Sequence, residues 1–551
     1  MAIMCLRGRS GSTFNLNFVP FRTFISKSQV RFRLQNYCAA PDRKFLSSSL
    51  EFISIFLLNM APLQGCQSQY HHFIPRFILK NFSHEYRSLH NSKPATGRKK
   101  GNKKIKLYPS TQVLPIIDLE GEVPELSLSP VSRTFGLMNM YRDVSNASNH
   151  NYLEEELGKL ESRVSSIIAH IKKAFESQKT GFTMSRDQRD MLRKFLFIMK
   201  YRGPGYHRRF HGDESGKYKE DDAELLKIYM QEKGYQNPVD VWFESIKTIL
   251  GLKLDLEGKW QKELVTKIYP EDAMGFIMHM EWYFLAFCTP GDASDEFILT
   301  ENCYNVHEGP NSTTLNQATG EYEVTAYTSY HEFSPITPRL MLILRSLLLP
   351  NAEEDADENI KTWRKNMYES SRSYHDNPAA AISTLEDLPL KKPRNSYTEV
   401  LPQGIQLLPC EDGSRRSNHR FTFPFFSINV DQVQRINCIL LEHAHLTSAI
   451  GYCSDLSLRK SLDYYLQLPT DRGYKLISPR GNDARLVYLK KLEVIASSLG
   501  SVVVLSYKEA LGVDDMEKHK EESLRQLQKD MLEHLPEQPS DFMRLYNKLG
   551  T

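Results

Sequence analysis

His72, Glu161, Arg202, Glu301 and His331 are side chains whose types would suit hydrolysis of a phosphate ester. An arginine fork can hold a phosphate oxygen, a carboxylate can position water or a divalent metal, and an imidazole can move the proton. That chemistry requires the five to meet in one hollow, which spacing alone does not establish. Each also has a structural reading. His72, just ahead of Ile74 and Pro75, can bond a buried backbone group, and Glu161 can pair with a neighbouring helix. Arg202 falls in a last helical turn, where a cation suits the dipole, and His331 with Ser334 can satisfy a Pro-rich turn. Glu301 closes a hydrophobic strand, where polar groups often face a cleft.

The elements that must position these groups are mostly helices. After Asn151, a candidate N-cap with Glu154 in the capping-box position, Leu153, Leu157, Leu160, Val164, Ile167, Ile171 and Phe175 recur at helical spacing. A second helix starts with the capping pair Ser185 and Gln188, turns Leu192, Phe195, Leu196 and Met199 inward, and stops at Gly203-Pro204-Gly205. Further helical patterns run over 222–233, 239–250, 260–268, 272–287, 432–443 and 484–498. Short β-rich runs at 296–300, 321–327, 339–344 and 501–506 read as strands. The expected fold is α+β, helix-dominated, with a small sheet of short strands.

Three charged stretches need no chemistry. KPATGRKKGNKK, from Lys93 to Lys104, lacks an apolar face and reads as a solvated loop. The acids from Glu353 to Glu358 resemble a metal cage, but they precede Lys361, Arg364 and Lys365, so a helix with a negative first turn explains them more simply. Lys200, Arg202, His207, Arg208 and Arg209 with Tyr201 and Tyr206 mix basic and aromatic groups as nucleic-acid surfaces do, but a solvated helix terminus accounts for them more simply.

The 551 residues are 40% hydrophobic and 25% charged, enough for a real core. Net charge is +3, but the excess sits in residues 1–59, leaving a slightly acidic body that disfavours nucleic acid as a partner. The eight cysteines form no CxxC pair and read as reduced thiols, and no apolar run is long enough for a membrane span. Residues 1–59 have the Arg, Ser and Phe content of a mitochondrial transit peptide, or else are an extension upstream of a true start at Met60. A start at Met60 implies a cytoplasmic or nuclear protein. The expected organisation is this extension, an α+β region over 60–506 and a charged helical tail over 507–551 with a stripe of Leu524, Leu527, Met531 and Leu535. HExxH, GxxxxGK[ST], GxSxG and GxGxxG are absent, which removes support for zinc proteases, P-loop nucleotidases, serine hydrolases and dinucleotide enzymes.

The passage QYHHFIPRFILKNF, Gln69 to Phe82, resembles the N-terminal signature of the domain-of-unknown-function family DUF4238, through His72, Phe73, Ile74, Pro75, Leu79 and Phe82. The likeness continues in order through Glu161, Arg202-Gly203-Pro204, the run Phe297 to Asn302, His331 to Pro335 and Asn437. Glu301 and Cys303 stand where the family has Asp and Pro, while Asn302 to Asn305 with Glu308-Gly309-Pro310 resemble its fungal branch. The resemblance implies no established activity. Two functions remain open: a regulatory or binding protein that takes an unknown protein or small-molecule partner in a strand-floored cleft, and a metal-assisted, nuclease-like phosphoester hydrolase using the five residues above and a divalent metal.

Overall fold

The computed structural model describes residues 68–509, apart from 88–95, 101–102, 144–147, 213–217, 219–221, 316–321, 376, 469–473 and 478–483. The extension over 1–59 and the tail from 510 onward, with its leucine stripe, lie outside the described residues. In chain order the elements that matter here are β1 (Tyr70–His72), β2 (Gln112–Asp118), α1 (Tyr152–Glu176), β3 (Gly181–Ser185), α2 (Arg186–Tyr201), α3 (Pro204–His211), α4 (Ala223–Lys233), α5 (Pro238–Gly251), α6 (Lys259–Lys267) and α7 (Pro270–Glu281). There follow β4 (Tyr283–Pro290), β5 (Leu299–Thr300), β6 (His307–Glu308), β7 (His331–Thr337), β8 (Leu340–Ser346), α8 (Glu358–Ser373), β9 (Arg394–Asn395), β10 (Arg420–Ile428), α9 (Val430–His443), β11 (Ala449–Gly451), α10 (Asp455–Gln467) and α11 (Ala484–Ser498). The fold is α+β with helix in excess of strand.

A seven-stranded sheet runs β6-β7-β8-β4-β10-β9, with β3 also paired to β10. The first half of β10 pairs antiparallel with β3, and its second half, from Phe425, runs parallel to β4. β7 and β8 are buried at every position, which is why β8 begins as a continuous apolar run, Leu340 to Leu344, and why the polar side chains of β7 must find partners inside the protein. A second sheet joins β5, β11 and β2. Helices α1 and α2 pack against the first sheet, and one hydrophobic cluster reaches from Phe73 to Ala496. Among the described residues no helix is long and apolar enough to cross a membrane.

Local signals of helix were reliable where packing agreed with them. Ser185 and Gln188 form the expected capping box on α2. Asn151 does precede α1, but its side chain makes no capping bond; it sits at φ −102° and ψ 7°, away from the extended backbone that a capping oxygen needs.

Four expectations change. The pattern over 272–287 divides: α7 ends at Glu281 and Tyr283 to Phe287 enter β4, because an apolar run flanked by two free strand edges pairs rather than coils. The basic stretch is not a loop but an antiparallel hairpin of Thr96–Lys100 with Lys103–Lys106. Residues 501–506 keep the extended alternation, Val503 and Leu505 packing inward while Val502 and Val504 face solvent, yet among the described residues they pair with no strand. The chain then makes a two-residue strand, Lys508–Glu509, beside Leu476–Ile477. Finally, only Leu299 and Thr300 of the run 296–300 pair as strand. The Asn437 side chain binds the flanking backbone instead, accepting from Ile298 N at 3.3 Å and donating to Glu296 O at 2.8 Å.

Candidate functional site: a motif junction and a strand-floored cleft

Three sequence segments that carry the family likeness adjoin in space. Phe73 and Ile74 after β1, Gly203 to Gly205 at the start of α3, and Glu301, Asn302, Tyr304 and Asn305 after β5 line one recess of about 10 Å³. That is room for roughly one water molecule and not for a substrate. The junction is held by backbone-directed bonds: Asn302 Nδ2 donates to His443 O at 2.7 Å and Tyr304 Oη to Pro335 O at 2.8 Å.

Arg202 and Glu161 do meet, and His72 lies close enough for the Arg202 charge to act on it. Arg202 caps the C-terminus of α2 and is 1% exposed; its Nη1 lies 2.7 Å from Glu161 Oε1, and its carbonyl accepts from Tyr141 Oη at 3.0 Å. Among the described residues its Nε and Nη2 are buried without a hydrogen-bond partner, so one face of the guanidinium retains donor capacity. Burial lowers the Arg202 pKa, but Glu161 outweighs that and raises it overall, which keeps the group charged. His72 Nε2 donates to Val131 O at 3.0 Å, leaving Nδ1 as the acceptor. Burial pushes the His72 ring down to about 4, with Arg76 and Arg202 adding to the shift, so it is neutral near pH 7. His71, its neighbour, accepts from Tyr141 N through Nδ1 at 2.9 Å and stacks on the Tyr141 ring at 5.5 Å. The pair thus clamps the chain on both sides of β1.

Glu301 and His331 are engaged elsewhere. Glu301 accepts from Ser448 N at 2.7 Å and Ser448 Oγ at 2.6 Å, joining the β5 end to the start of β11. Glu301→Gln is therefore expected to destabilise the fold by about 1–3 kcal/mol, the range for hydrogen bonds to a charged group; an unchanged thermal midpoint would return this residue to chemistry. His331 is fully buried inside a strand rather than a turn, with Nδ1 2.8 Å from Glu308 Oε2 and Nε2 accepting from Arg345 Nη1 at 3.1 Å. Glu308 is further held by Ser383 Oγ at 2.9 Å and Thr384 N at 2.6 Å. The ring's two nitrogens are both occupied, and burial lowers its pKa.

The basic and aromatic group around Arg202 is largely tied into the fold rather than a solvated helix end, with Arg208 exposed. Lys200 Nζ lies 2.8 Å from Glu332 Oε1, Arg209 Nη2 is 2.7 Å from Asp222 Oδ2, and Tyr201 Oη donates to the buried Asp272 carboxylate. The acids after Glu353 likewise work locally: Asp357 caps α8, while Glu354 and Asp355 hold Arg364 at 2.6 and 2.8 Å. Among the described residues no three His, Cys, Asp or Glu side chains group as a metal cage.

A cleft of about 1430 Å³ lies over the seven-stranded sheet. Tyr283, Phe284 and Leu285 of β4 with Phe421 and Phe423 of β10 form its floor. Trp260, Ile360 and Trp363 line it, and the hairpin of Thr398–Leu401 with Gly404–Leu407 borders it. Arg186, Arg189 and Arg193 come from one face of α2, at the spacing i, i+3, i+7. That spacing was visible in the sequence, but attention to the inward apolar stripe of the same helix hid it.

The family's profile, described as a protein of unknown function (DUF4238), matches residues 70–455, and the chain belongs to that family. No curated protein and no solved structure matches it.

Proposed function

We propose that the chain is a binding protein that takes its partner or ligand in the strand-floored cleft. The observation that carries this reading is the cleft's make-up: an aromatic and aliphatic floor rimmed by charged side chains of both signs, so that apolar contact and directed polar groups meet in one concave surface. The motif residues, by contrast, mostly clasp backbone, which fits a signature that secures a scaffold. Val400, an exposed apolar residue lining the cleft, is the place to block it. A panel of peptides, nucleotides and organic acids is expected to contain a compound that raises the wild-type thermal midpoint, and Val400→Trp should abolish that rise. A compound that stabilises both proteins equally binds elsewhere and sinks the reading.

A second reading, metal-assisted phosphoester hydrolysis, keeps one observation in its support: neutral His72 feels the charge of Arg202, whose guanidinium pairs with Glu161 through one nitrogen only. Under it, a generic phosphodiester would be turned over with magnesium or manganese added. His72→Gln, which loses the acceptor nitrogen, would stop that turnover; activity indifferent to the change removes the reading.

A further inference from the structure

We propose that the C-terminal segment carrying Leu524, Leu527, Met531 and Leu535 docks, as an amphipathic helix, on a valine surface formed by α11 and the extended run 501–506. The inference does not depend on the cleft.

The surface is apolar and open. Five of the eighteen large hydrophobic side chains exposed among the described residues fall between Val487 and Tyr507, so the exposure is concentrated where the described chain ends. Val502 and Val504 are 94% and 79% exposed, which leaves nearly all of each side chain in water. Val487 and Val494 are half-exposed and stand seven residues apart on α11, so they share one outward face. At Gly500, whose φ is 83°, the chain turns back, and Leu505 N donates to Glu493 Oε1 at 3.0 Å. The run 501–506 is thereby tied to α11 one residue from Val494, with Val503 and Leu505 packed against the core and the other two valines outward. Contiguous exposed apolar groups of this kind mark a contact surface.

Attachment selects the occupant. The described chain reaches Glu509, five residues beyond Val504, and the sequence continues from there over 510–551. Leu524, Leu527, Met531 and Leu535 recur at i, i+3, i+7 and i+11, the spacing of one helical face. At 1.5 Å per residue that stripe is about 16 Å long, against about 10 Å for the ridge from Val487 to Val494. Glu521, Glu522, Arg525, Lys529, Asp530 and Glu533 fill the other positions of the same turns and suit a face left in water. A helix this short is marginal in water by itself and gains its stability by burying its apolar stripe.

A chain of about fifteen residues, the interval from Glu509 to Leu524, has a coil end-to-end distance of about 20 Å, enough to set the stripe on the ridge. Tethering gives a local concentration on the order of millimolar, well above that of a second copy in dilute solution. A second copy or a separate partner therefore competes at a disadvantage for the same valines.

The test uses the full chain with p-benzoylphenylalanine in place of Val502 in one protein and of Val400, in the cleft, in another. Mass spectrometry of the photolinked products is expected to show position 502 joined to residues within 520–538 of the same chain, and position 400 not joined to them. Mixing isotopically light and heavy chains separates the routes. Links between light and heavy chains assign the surface to a second copy, and links from position 400 place the segment in the cleft. Either result, or no link from position 502, overturns the proposal. Hydrogen exchange gives an independent reading, because slow exchange over 521–535 requires a docked helix. Val494→Asp with Val502→Asp, at positions outside the core, should speed that exchange about tenfold while exchange over α2 stays at the wild-type rate. Exchange over 521–535 that is already fast in the wild-type chain, or that the two substitutions leave unchanged, also overturns the docking.

Discussion

Lys200→Met is expected to remove about 3–5 kcal/mol of stability at neutral pH, the range for breaking one side of a buried ion pair. Lys200 on α2 reaches Glu332 on β7, a side chain 7% exposed, at 2.8 Å. Burial alone would raise the Glu332 pKa, but Lys200 and His279 outweigh it and hold the carboxyl below the ordinary carboxylate range. Burial lowers the Lys200 pKa and Glu332 more than restores it, so the ammonium ends above its usual value. The signs fix the pH window. The depressed carboxylate contributes stability above its unfolded pKa of about 4.3 that is lost as pH falls through the folded value, and the raised ammonium contributes below about 10.4 and loses it as pH rises.

In the variant the sign for Glu332 reverses. An unpaired buried carboxylate binds its proton more readily in the folded state, and His279, at 3.6 Å from Glu332, can gain a proton to pair with it. Either route restores stability on acidification. Urea denaturation at pH 5 and pH 7 should therefore show a smaller deficit at pH 5, and Glu332→Gln added to Lys200→Met should recover part of the loss. An identical deficit at both pH values would mean that lost packing, not charge, is responsible. Because α2 also carries the arginine row of the cleft, ligand stabilisation should fall with the same substitution.

Arg364→Met is expected to be nearly as severe, about 3 kcal/mol, since it strands several buried acceptors at once. Arg364, 4% exposed, holds Glu354 and Asp355 through two nitrogens and donates to the carbonyls of Leu347 and Leu349. Lysine cannot replace it, because a single ammonium does not span a planar fork's acceptors, so Arg364→Lys should recover less than half of the loss. Trp363, the adjoining residue, stacks against Trp282 at 6.5 Å and lines the cleft. Thermal denaturation read by tryptophan emission should show a lower midpoint and an altered native spectrum. A midpoint shift equivalent to less than about 1 kcal/mol would reduce this residue to a surface ion pair.

The sequence was most informative where structure is set within a turn or two of chain. The apolar stripe of α1, the Ser185 capping box, the Gly203-Pro204 stop and the dipole logic of the acids before Arg364 are local, and each is present. Order along the chain also sufficed for family membership. Extended segments were less legible: the same β-like composition became a paired strand at Leu340–Ser346 and, at 501–506, an extension that pairs with no strand among the described residues, because pairing depends on a neighbour brought from far away.

Polar side chains followed the same division. Their types were evident from the start, but a charge acquires a role only from what faces it. Folding set Arg202 against Glu161 and close enough for its charge to act on His72, gave Glu301 to Ser448, and enclosed His331 between Glu308 and Arg345. What the sequence by itself determined was helix content, helix ends, family and the chemical vocabulary, since these arise from contacts between residues near one another in the chain. Only the tertiary structure decided which acids and bases meet, and that strands β4 and β10 would floor a cleft beneath the arginines of α2, because those contacts join segments whose separation no local periodicity encodes.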